Sequence, residues 1–574
     1  MRKLLPFMKK YIKYAVLCPI LMILEVGADI VIPYLMSMIV DVGIAGRDIN
    51  YVVKVGITMI LVALFGMTMG IISSHYGAKA GYGFAAEVRK TTFEKVQSFS
   101  YANLDKFSVS SLITRLTNDC NTLGQVAMMS LRLAVRAPFM MIFALIMALS
   151  INAPLAGVFM VSVPVMAVFL IIILSKARPL FIKMQSRVDR VNAIIQENLT
   201  GIRVVKSFNR QSHEEQRFKE RNDSLRDTAL YAISKVIMVG PLMNIVTYST
   251  IIAVLWFGGK QVVAGGMGSG ELISFVTYIT QILMSLMMIS MFFMQLLRGM
   301  ASASRINEVL GTDSEIMEDS NPVMNMTNGD IKFDNVSFTY PFSPEKTLKN
   351  INLEIKSGET VGIIGSTGSS KSTLVQLIPR LYDVTEGVVE VGGVNVKKYH
   401  IKSLRDKVAF VLQKNVLFSG TIRENMKWGN ENATDEQIIN ALKVSQAWEF
   451  VSKYEDGLDH IVVQGGDNFS GGQKQRLAIA RALVKSPEII ILDDSTSAVD
   501  MATDAKIQKA FKQDLGDVTT MIIAQRISSI QQADKILVMN EGEIESMGTH
   551  ETLMESSPVY KEIYESQKKG VVGQ

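Results

Sequence analysis

Hydrophobic positions follow two unlike patterns along the chain. From residue 1 to about 305 they form long runs. From about 320 onward the runs are short and broken by turns and charges. The first half holds six stretches near the ~20 apolar residues needed to cross a ~30 Å hydrocarbon core. They are 14–40, 52–76, 125–150, 154–175, 232–258 and 271–297. Glu25 and Asp29 interrupt the first, and Arg132 and Arg136 the third. Between some of these runs the helical period continues. Leu180, Met184, Val188, Val191, Ile194, Ile195, Leu199, Ile202 and Val205 keep that spacing with few breakers. The pattern predicts membrane helices that extend well beyond the bilayer and end in short turns near 101–108 and 209–216. A separate helical hairpin is the alternative.

Charge orients these spans. The connections near 41–51, 151–154 and 259–270 are short and nearly free of Lys and Arg. The stretch 79–120 holds Lys79, Arg89, Lys90, Lys95, Lys106 and Arg115, and 176–235 holds thirteen basic residues. The positive-inside rule then puts the long stretches and both chain ends in the cytoplasm. The basic, amphipathic start, residues 1–10, reads as an interfacial helix leading into the first span, with no small-residue cleavage site after it.

Composition changes the picture little. The chain has 574 residues, 48% hydrophobic and 20% charged, with 34 Met and a mean hydropathy of +0.24. Disorder, collagen and disulfide scaffolds are excluded. Cys18 and Cys120 cannot make a disulfide framework. A net charge of +5 is small for this length and argues for no nucleic-acid partner.

The second half carries the chemistry. Residues 311–329, rich in Gly, Asp, Ser, Asn and Pro, read as a linker. Val361–Ile364 reads as a buried parallel strand. It leads into Gly365, Ser366, Thr367, Gly368, Ser369, Ser370, Lys371, Ser372 and Thr373, and then a helical pattern. A strand, a Gly-rich turn, Lys-Ser/Thr and a helix make a phosphate-cradling loop. Backbone N–H groups and a helix N-terminus face the phosphates. Lys371 would reach the β- and γ-phosphates and the Ser372 hydroxyl would ligate Mg²⁺. The usual pattern has Gly immediately before Lys, where this chain has Ser370. Downstream, 488–494 is an apolar strand ending in Asp493 and Asp494, the usual second metal/phosphate element. Between the two lies Phe469, Ser470, Gly471, Gly472 and Gln473, a second Gly-rich turn opening a helix.

These motifs, in this order, resemble the ATP-binding cassette (ABC) transporters, specifically exporter-type half-transporters of multidrug-like kind. The resemblance covers nearly all of the chain. It implies an α-helical six-span membrane domain at 1–310 with long cytoplasmic helix extensions. The linker would follow, then an α/β P-loop nucleotide-binding domain with a helical subdomain at 330–574. Phe469–Gln473 looks like the family's signature motif, which reaches ATP across a dimer. Tyr340 looks like the aromatic that stacks on adenine. Gln413 looks like the glutamine that senses Mg²⁺ and links to the membrane domain. Ser497 to Asp500 look like the D-loop, and the tips near 101–108 and 209–216 match the coupling helices. The implied cofactors are ATP and Mg²⁺, the latter on Ser372, Gln413 and Asp493.

The departures from the family pattern are the sharper information. After Asp493 the family has Glu, which holds the attacking water; here Asp494 is one methylene shorter. Its carboxylate retracts by roughly 1–1.5 Å, enough to lose a hydrogen bond to water. The switch His is Gln525, which cannot carry a proton charge. Gln464 stands where Glu is usual. Together with Ser370 these changes imply a degenerate catalytic set of Asp494, Gln525 and Gln413. Such a subunit binds ATP, hydrolyses it slowly, and lends its signature motif to a non-identical partner with Glu and His in its site. Tolerated drift in a working homodimer is the alternative.

The membrane half offers candidate cargo contacts. Met284, Met287, Met288, Met291 and Met294 share one broad face of the sixth span, and Met suits varied apolar ligands or ordinary packing. Glu25 and Asp29 share a face of the first span, as a cargo contact or paired with a basic residue on a neighbouring helix. Arg132 and Arg136 are expected to snorkel. Pro33, Pro138, Pro164 and Pro241 are candidate kinks. The expected function is an exporter subunit of a bacterial plasma membrane moving amphipathic, drug- or lipid-like compounds. An ATP-binding regulator or gated channel, or a homodimeric lipid or peptide exporter, is the alternative.

Overall fold

The computed structural model describes residues 2–341, 343–495 and 499–572. They divide into two compact units. One is Met1–Gln97 with Val109–Thr312. The other is Asp313–Gln574 joined by the short insert Ser98–Ser108.

The first unit is helical. Among the described residues six helices are long and apolar enough to cross a membrane: Lys3–Ile44, Ile49–Gln97, Val109–Ile151, Ala153–Thr200, Gln211–Val263 and Ser269–Leu310. Ile49–Gln97 alone has 49 residues. At about 1.5 Å per residue it is roughly 70 Å long, more than twice a hydrocarbon core. All six expected spans fall inside these helices, and the extension predicted for 180–205 is real as far as Thr200. The expected prolines behave differently. Pro33, Pro138 and Pro164 lie inside continuous helices. Pro241 sits in the first turn of Val239–Val263, next to the joint at Met238, where a missing N–H matters least.

The core of this unit forms where the sixth helix crosses the first and fourth. Phe275, Tyr278, Ile279 and Ile282 pack with Val26, Ile30, Leu155 and Phe159. The Tyr278 hydroxyl donates to the Ile30 carbonyl at 2.9 Å. Asp41 accepts from the backbone N–H groups of Gly270 and Glu271 (2.6 and 2.9 Å). A side chain on one helix thus satisfies the open N-terminal amides of another. On the sixth helix Met284, Met291 and Met294 are exposed while Ser285 and Leu283 are buried. Met287 and Met288 are half-buried.

The tips between long helices are two short helices, Tyr101–Lys106 and Ile202–Ser207. The second lies upstream of the turn expected at 209–216. The reversal there occupies 208–210, and Gln211–Ile237 is already helix.

The second unit is an α/β fold. Its main sheet has the order β12-β11-β3-β10-β9-β6. The strands are β3 (Thr360–Gly365), β6 (Val408–Val411), β9 (Ile489–Asp493), β10 (Thr519–Ile523), β11 (Lys535–Asn540) and β12 (Glu543–Gly548). All neighbours are parallel except β11 and β12. The central strands are buried along their length and read as continuous apolar runs, as strands covered on both faces do. An antiparallel sheet, β2-β1-β4-β5, adds β1 (Ile331–Phe338), β2 (Leu348–Ile355), β4 (Glu386–Val391) and β5 (Val394–Asn395). A hairpin of β7 (Gly420–Thr421) and β8 (Ile461–Val462) sits with a helical cluster built on Ile422, Ile438, Leu442, Phe450 and Leu477. Within the expected linker, Val323 exchanges backbone hydrogen bonds with the 398–400 segment (2.8 and 3.0 Å).

Candidate functional site

In a parallel sheet every strand delivers its C-terminal end to one edge, where ligands bind. Four adjacent strands do so here. β3 ends at Gly365, β9 at Asp493 and β10 at Ile523, two residues before Gln525; β6 ends at Val411, two before Gln413. The chemistry-bearing residues read from sequence therefore converge because their strands are neighbours.

They line a cavity of about 880 Å³. Its wall includes Gly365–Gly368, Ser370–Thr373, Gln413, Asp493, Asp494 and Gln525. Ser369 is buried beneath it, its hydroxyl accepting from Lys371 Nζ at 3.2 Å. Lys371 Nζ also donates to the carbonyls of Gly365 (2.9 Å) and Ser366 (2.7 Å). Burial pushes its ammonium below the ordinary lysine range, against the pull of Asp494 and Asp493. A half-buried, partly desolvated cation held on carbonyls is suited to an anionic ligand.

The loop's shape explains its glycines and its one departure. Gly368 has φ +89° and Ser370 has φ +69°. Glycine adopts such angles freely, whereas an L-side chain pays roughly 1–2 kcal/mol for the left-handed region. Ser370 therefore strains a turn that the family pattern builds from glycine.

Ser372 Oγ donates to Asp493 Oδ1 at 2.8 Å. Asp493 is buried, and that burial pushes its carboxyl above the ordinary range, with the Ser372 bond opposing. A hydroxyl beside a desolvated carboxylate is a fitting pair of hard oxygen donors for Mg²⁺, which takes few protein ligands and completes its shell with phosphate and water. Gln413, the third residue expected at the metal, lines the same cavity. Its amide nitrogen points to Asp494 Oδ2 at 3.4 Å. Gln525 Nε2 reaches the same oxygen at 2.7 Å. Asp494 itself has φ +47°, which Asp tolerates better than most residues.

Tyr340 does not line the cavity. Its hydroxyl meets Thr373 Oγ1 at 3.0 Å, and its ring packs edge-on against Phe338 and Tyr382. The Tyr382 hydroxyl in turn donates to Asp105 at 2.8 Å, and Tyr101 packs edge-on against the same ring. Both partners belong to the 98–108 insert. Phe469–Gln473 lie outside the cavity lining as well. Phe469 is buried. Ser470 caps the helix Gly471–Val484, and Gln473 returns a bond to the Ser470 N–H. Gln464 opens a single turn before it. Of the D-loop residues, Ser497 and Ala498 lie outside the described residues, and Asp500 caps the helix Met501–Asp514.

In the membrane unit the two acids have a partner. Arg136 donates to Asp29 Oδ2 at 2.7 Å and to Glu25 Oε1. The snorkelling expected of Arg136 is not what occurs: two carboxylates on a neighbouring helix hold it inside. Gly70 leaves room for Glu25, whose carboxylate carbon would stand 2.9 Å from a Cβ there.

The comparisons agree with this layout. Residues 15–286 match the ABC transporter transmembrane region family and residues 348–497 the ABC transporter family. An ABC transporter ATP-binding protein of Bacillus subtilis, YfiB, is 39% identical over 567 residues, covering 99% of this chain and 98% of that protein. The chain belongs to the ABC transporter family. A second member, Rv1273c of Mycobacterium tuberculosis, is 38% identical over 573 residues, covering 98% of each. The ATP-dependent lipid A-core flippase of Syntrophus aciditrophicus is 30% identical, covering 85% of this chain and 81% of that protein. A bacterial Atm1-family ABC exporter solved with ATP bound has the same fold, with a TM-score of 0.82 and 23% identity over 97% of this chain and 99% of that one. This ABC transporter is thus a multi-pass membrane protein of exporter-type half-transporter fold, with one membrane unit and one ATP-binding unit.

Sequence reading missed Gln567, which lines the cavity from the helix Pro558–Val572, and Tyr382; for the membrane acids it allowed a basic partner on a neighbouring helix without naming Arg136. No local pattern marks them.

Proposed function

We propose that this ABC transporter is one subunit of an exporter that moves amphipathic or hydrophobic, drug- or lipid-like compounds out of the cytoplasm or inner leaflet. Its own nucleotide site binds ATP and turns it over slowly. Its signature motif, Phe469–Gln473, completes the competent site of a second, non-identical half-transporter. Both termini and the ATP-binding unit face the cytoplasm of a bacterial plasma membrane.

The observation that carries the slow site is the occupation of Asp494. Its short carboxylate is engaged by Gln525 at 2.7 Å and faces Gln413 at 3.4 Å. Both amides meet one carboxylate oxygen and so fix the direction of the side chain, whereas a general base must present its carboxylate to water at about 2.6–3.2 Å. Gln525 cannot take up a proton charge near the γ-phosphate as His would. ATP would lie on the amides of Gly365–Thr373 with Lys371 on its phosphates, Mg²⁺ on Ser372 and Asp493, and adenine beside Tyr340. Mg²⁺ supplies charge neutralisation of the phosphates.

The domain limits follow the same reading: membrane domain 1–310, linker 311–329, nucleotide domain 330–574. Coupling runs through the tips near 101–108 and 209–216. The bond from Tyr382 to Asp105 supports the first of these. A lipid-like cargo draws support from the relative named as a lipid A-core flippase. Glu25, Asp29 and the Met284–Met291 face are the candidate cargo contacts.

Purification with its partner tests this. ATP hydrolysis by the pair should fall by most of its value when the partner's catalytic Glu is replaced by Gln, and rise little with Asp494→Glu. Brisk hydrolysis by this chain purified alone would sink the slow-site reading.

A further inference from the structure

The helix Pro558–Val572 is anchored at its start and works at its end. Tyr560 is fully buried among Ile527, Ile530 and Leu553, and its hydroxyl meets His550 Nδ1 at 2.8 Å. Two turns later Gln567 grips the segment that follows β10. Its Nε2 donates to the Gln525 carbonyl at 2.8 Å, and its Oε1 accepts from the Ile527 N–H at 2.9 Å. One side-chain amide thus holds the backbone on both sides of Arg526. The side chain of that same Gln525 is bonded to Asp494. The helix also walls the nucleotide cavity. Glu562, Ile563, Ser566 and Gln567, spaced as one helical stripe, line it together with the phosphate loop.

We propose that Gln567 is a positioning residue, and that the helix Pro558–Val572 is a latch on the nucleotide cavity. Gln567 fixes the backbone of Gln525, Gln525 stays on Asp494, and nucleotide leaves slowly because this wall must open first. A two-point amide clamp suits the task because it fixes position and direction at once. A single bond would leave the segment free to pivot. The proposal rests on the reading that this cavity binds ATP.

Full-length chain in detergent or nanodiscs allows two measurements. Gln567→Leu removes both bonds at similar volume. Gln567→Glu keeps the acceptor for Ile527 and loses the donor to Gln525. In hydrogen exchange without nucleotide, peptides spanning 524–530 should exchange about tenfold faster at the Ile527 amide in Gln567→Leu, and near the parent rate in Gln567→Glu. Unchanged exchange in Gln567→Leu overturns the clamp. The second measurement is release of radiolabelled ATP in Mg²⁺. Its dissociation rate should rise about fivefold in Gln567→Leu with the association rate unchanged. Equal dissociation rates overturn the latch even where exchange has changed, and so does a change confined to thermal stability. A parent chain that binds no ATP would overturn the latch together with the ATP reading, while exchange still judges the clamp.

Discussion

Gln525 donates its side-chain amide to Asp494 Oδ2 at 2.7 Å. Two positions that the family uses for a water-holding acid and a proton-bearing switch are here bonded to each other.

Restoring both should therefore act more than additively. Asp494→Glu with Gln525→His, in the purified chain, is expected to raise ATP hydrolysis on the order of 10²-fold, within the range for a positioned general base. Each single change should give less than a tenth of that, because the remaining partner still occupies or misplaces the acid. Steady-state phosphate release at saturating ATP measures it. Additive singles would remove the case for coupling between the two.

Ser370 tests the strain in the phosphate loop. Relief of a left-handed side chain is worth about 1–2 kcal/mol, and glycine returns about 0.5–1 kcal/mol as unfolded-state freedom. Ser370→Gly should then stabilise the nucleotide unit by about 0.5–1 kcal/mol. Ser370→Val, β-branched at φ +69°, should destabilise it by more than 1 kcal/mol. Denaturant midpoints of the full chain read the order. A Val variant as stable as Gly contradicts it.

Asp493 gives a pH dependence with a definite sign. Its folded carboxyl titrates above the ordinary 3.8, chiefly through burial. The native state therefore holds its proton to higher pH than the unfolded state does. This contribution to stability is fully present below pH 3.8 and is lost as pH rises through the raised folded value. Asp493→Asn should flatten the slope of nucleotide-free stability above that pH, while weakening Mg²⁺-dependent ATP binding at least tenfold. Melting of parent and variant across pH, with and without Mg²⁺-ATP, checks both halves.

Arg136 is the keystone of three charges in the membrane unit. Its side chain is 24% exposed, with Glu25 at 15% and Asp29 at 32%. Breaking a fully buried pair by removing one partner costs roughly 3–5 kcal/mol; partial exposure lowers that here to about 2–4 kcal/mol. Arg136→Gln should lower the melting temperature of the detergent-purified protein clearly. Adding Glu25→Gln and Asp29→Asn should restore most of the loss, since no uncompensated charge then remains. Failure of the triple variant to recover would mean that the network itself, and not its balance of charge, holds these helices.

Much of this protein was legible from local pattern. Six apolar runs of bilayer length became six long helices because span length and backbone satisfaction in lipid are properties of a segment alone. The string Gly365–Thr373 could be read as a phosphate loop because its strand, turn and helix are contiguous. The altered residues Ser370, Asp494 and Gln525 stood out for the same reason: each sits inside a short motif with a known place for every side chain.

What the sequence could not determine was which distant side chains meet. Arg136 is separated from Asp29 by 107 positions, and its sequence position alone predicts a snorkelling residue because nothing local names its partner. Tyr382 and Asp105 are 277 positions apart, and Gln567 and Gln525 are 42 apart. Hydrophobic period and turn chemistry act over a few residues, whereas a hydrogen bond between elements depends on how whole helices and strands pack. Only the tertiary structure decided that β3, β6, β9 and β10 end side by side, and so turned four separate motifs into one site.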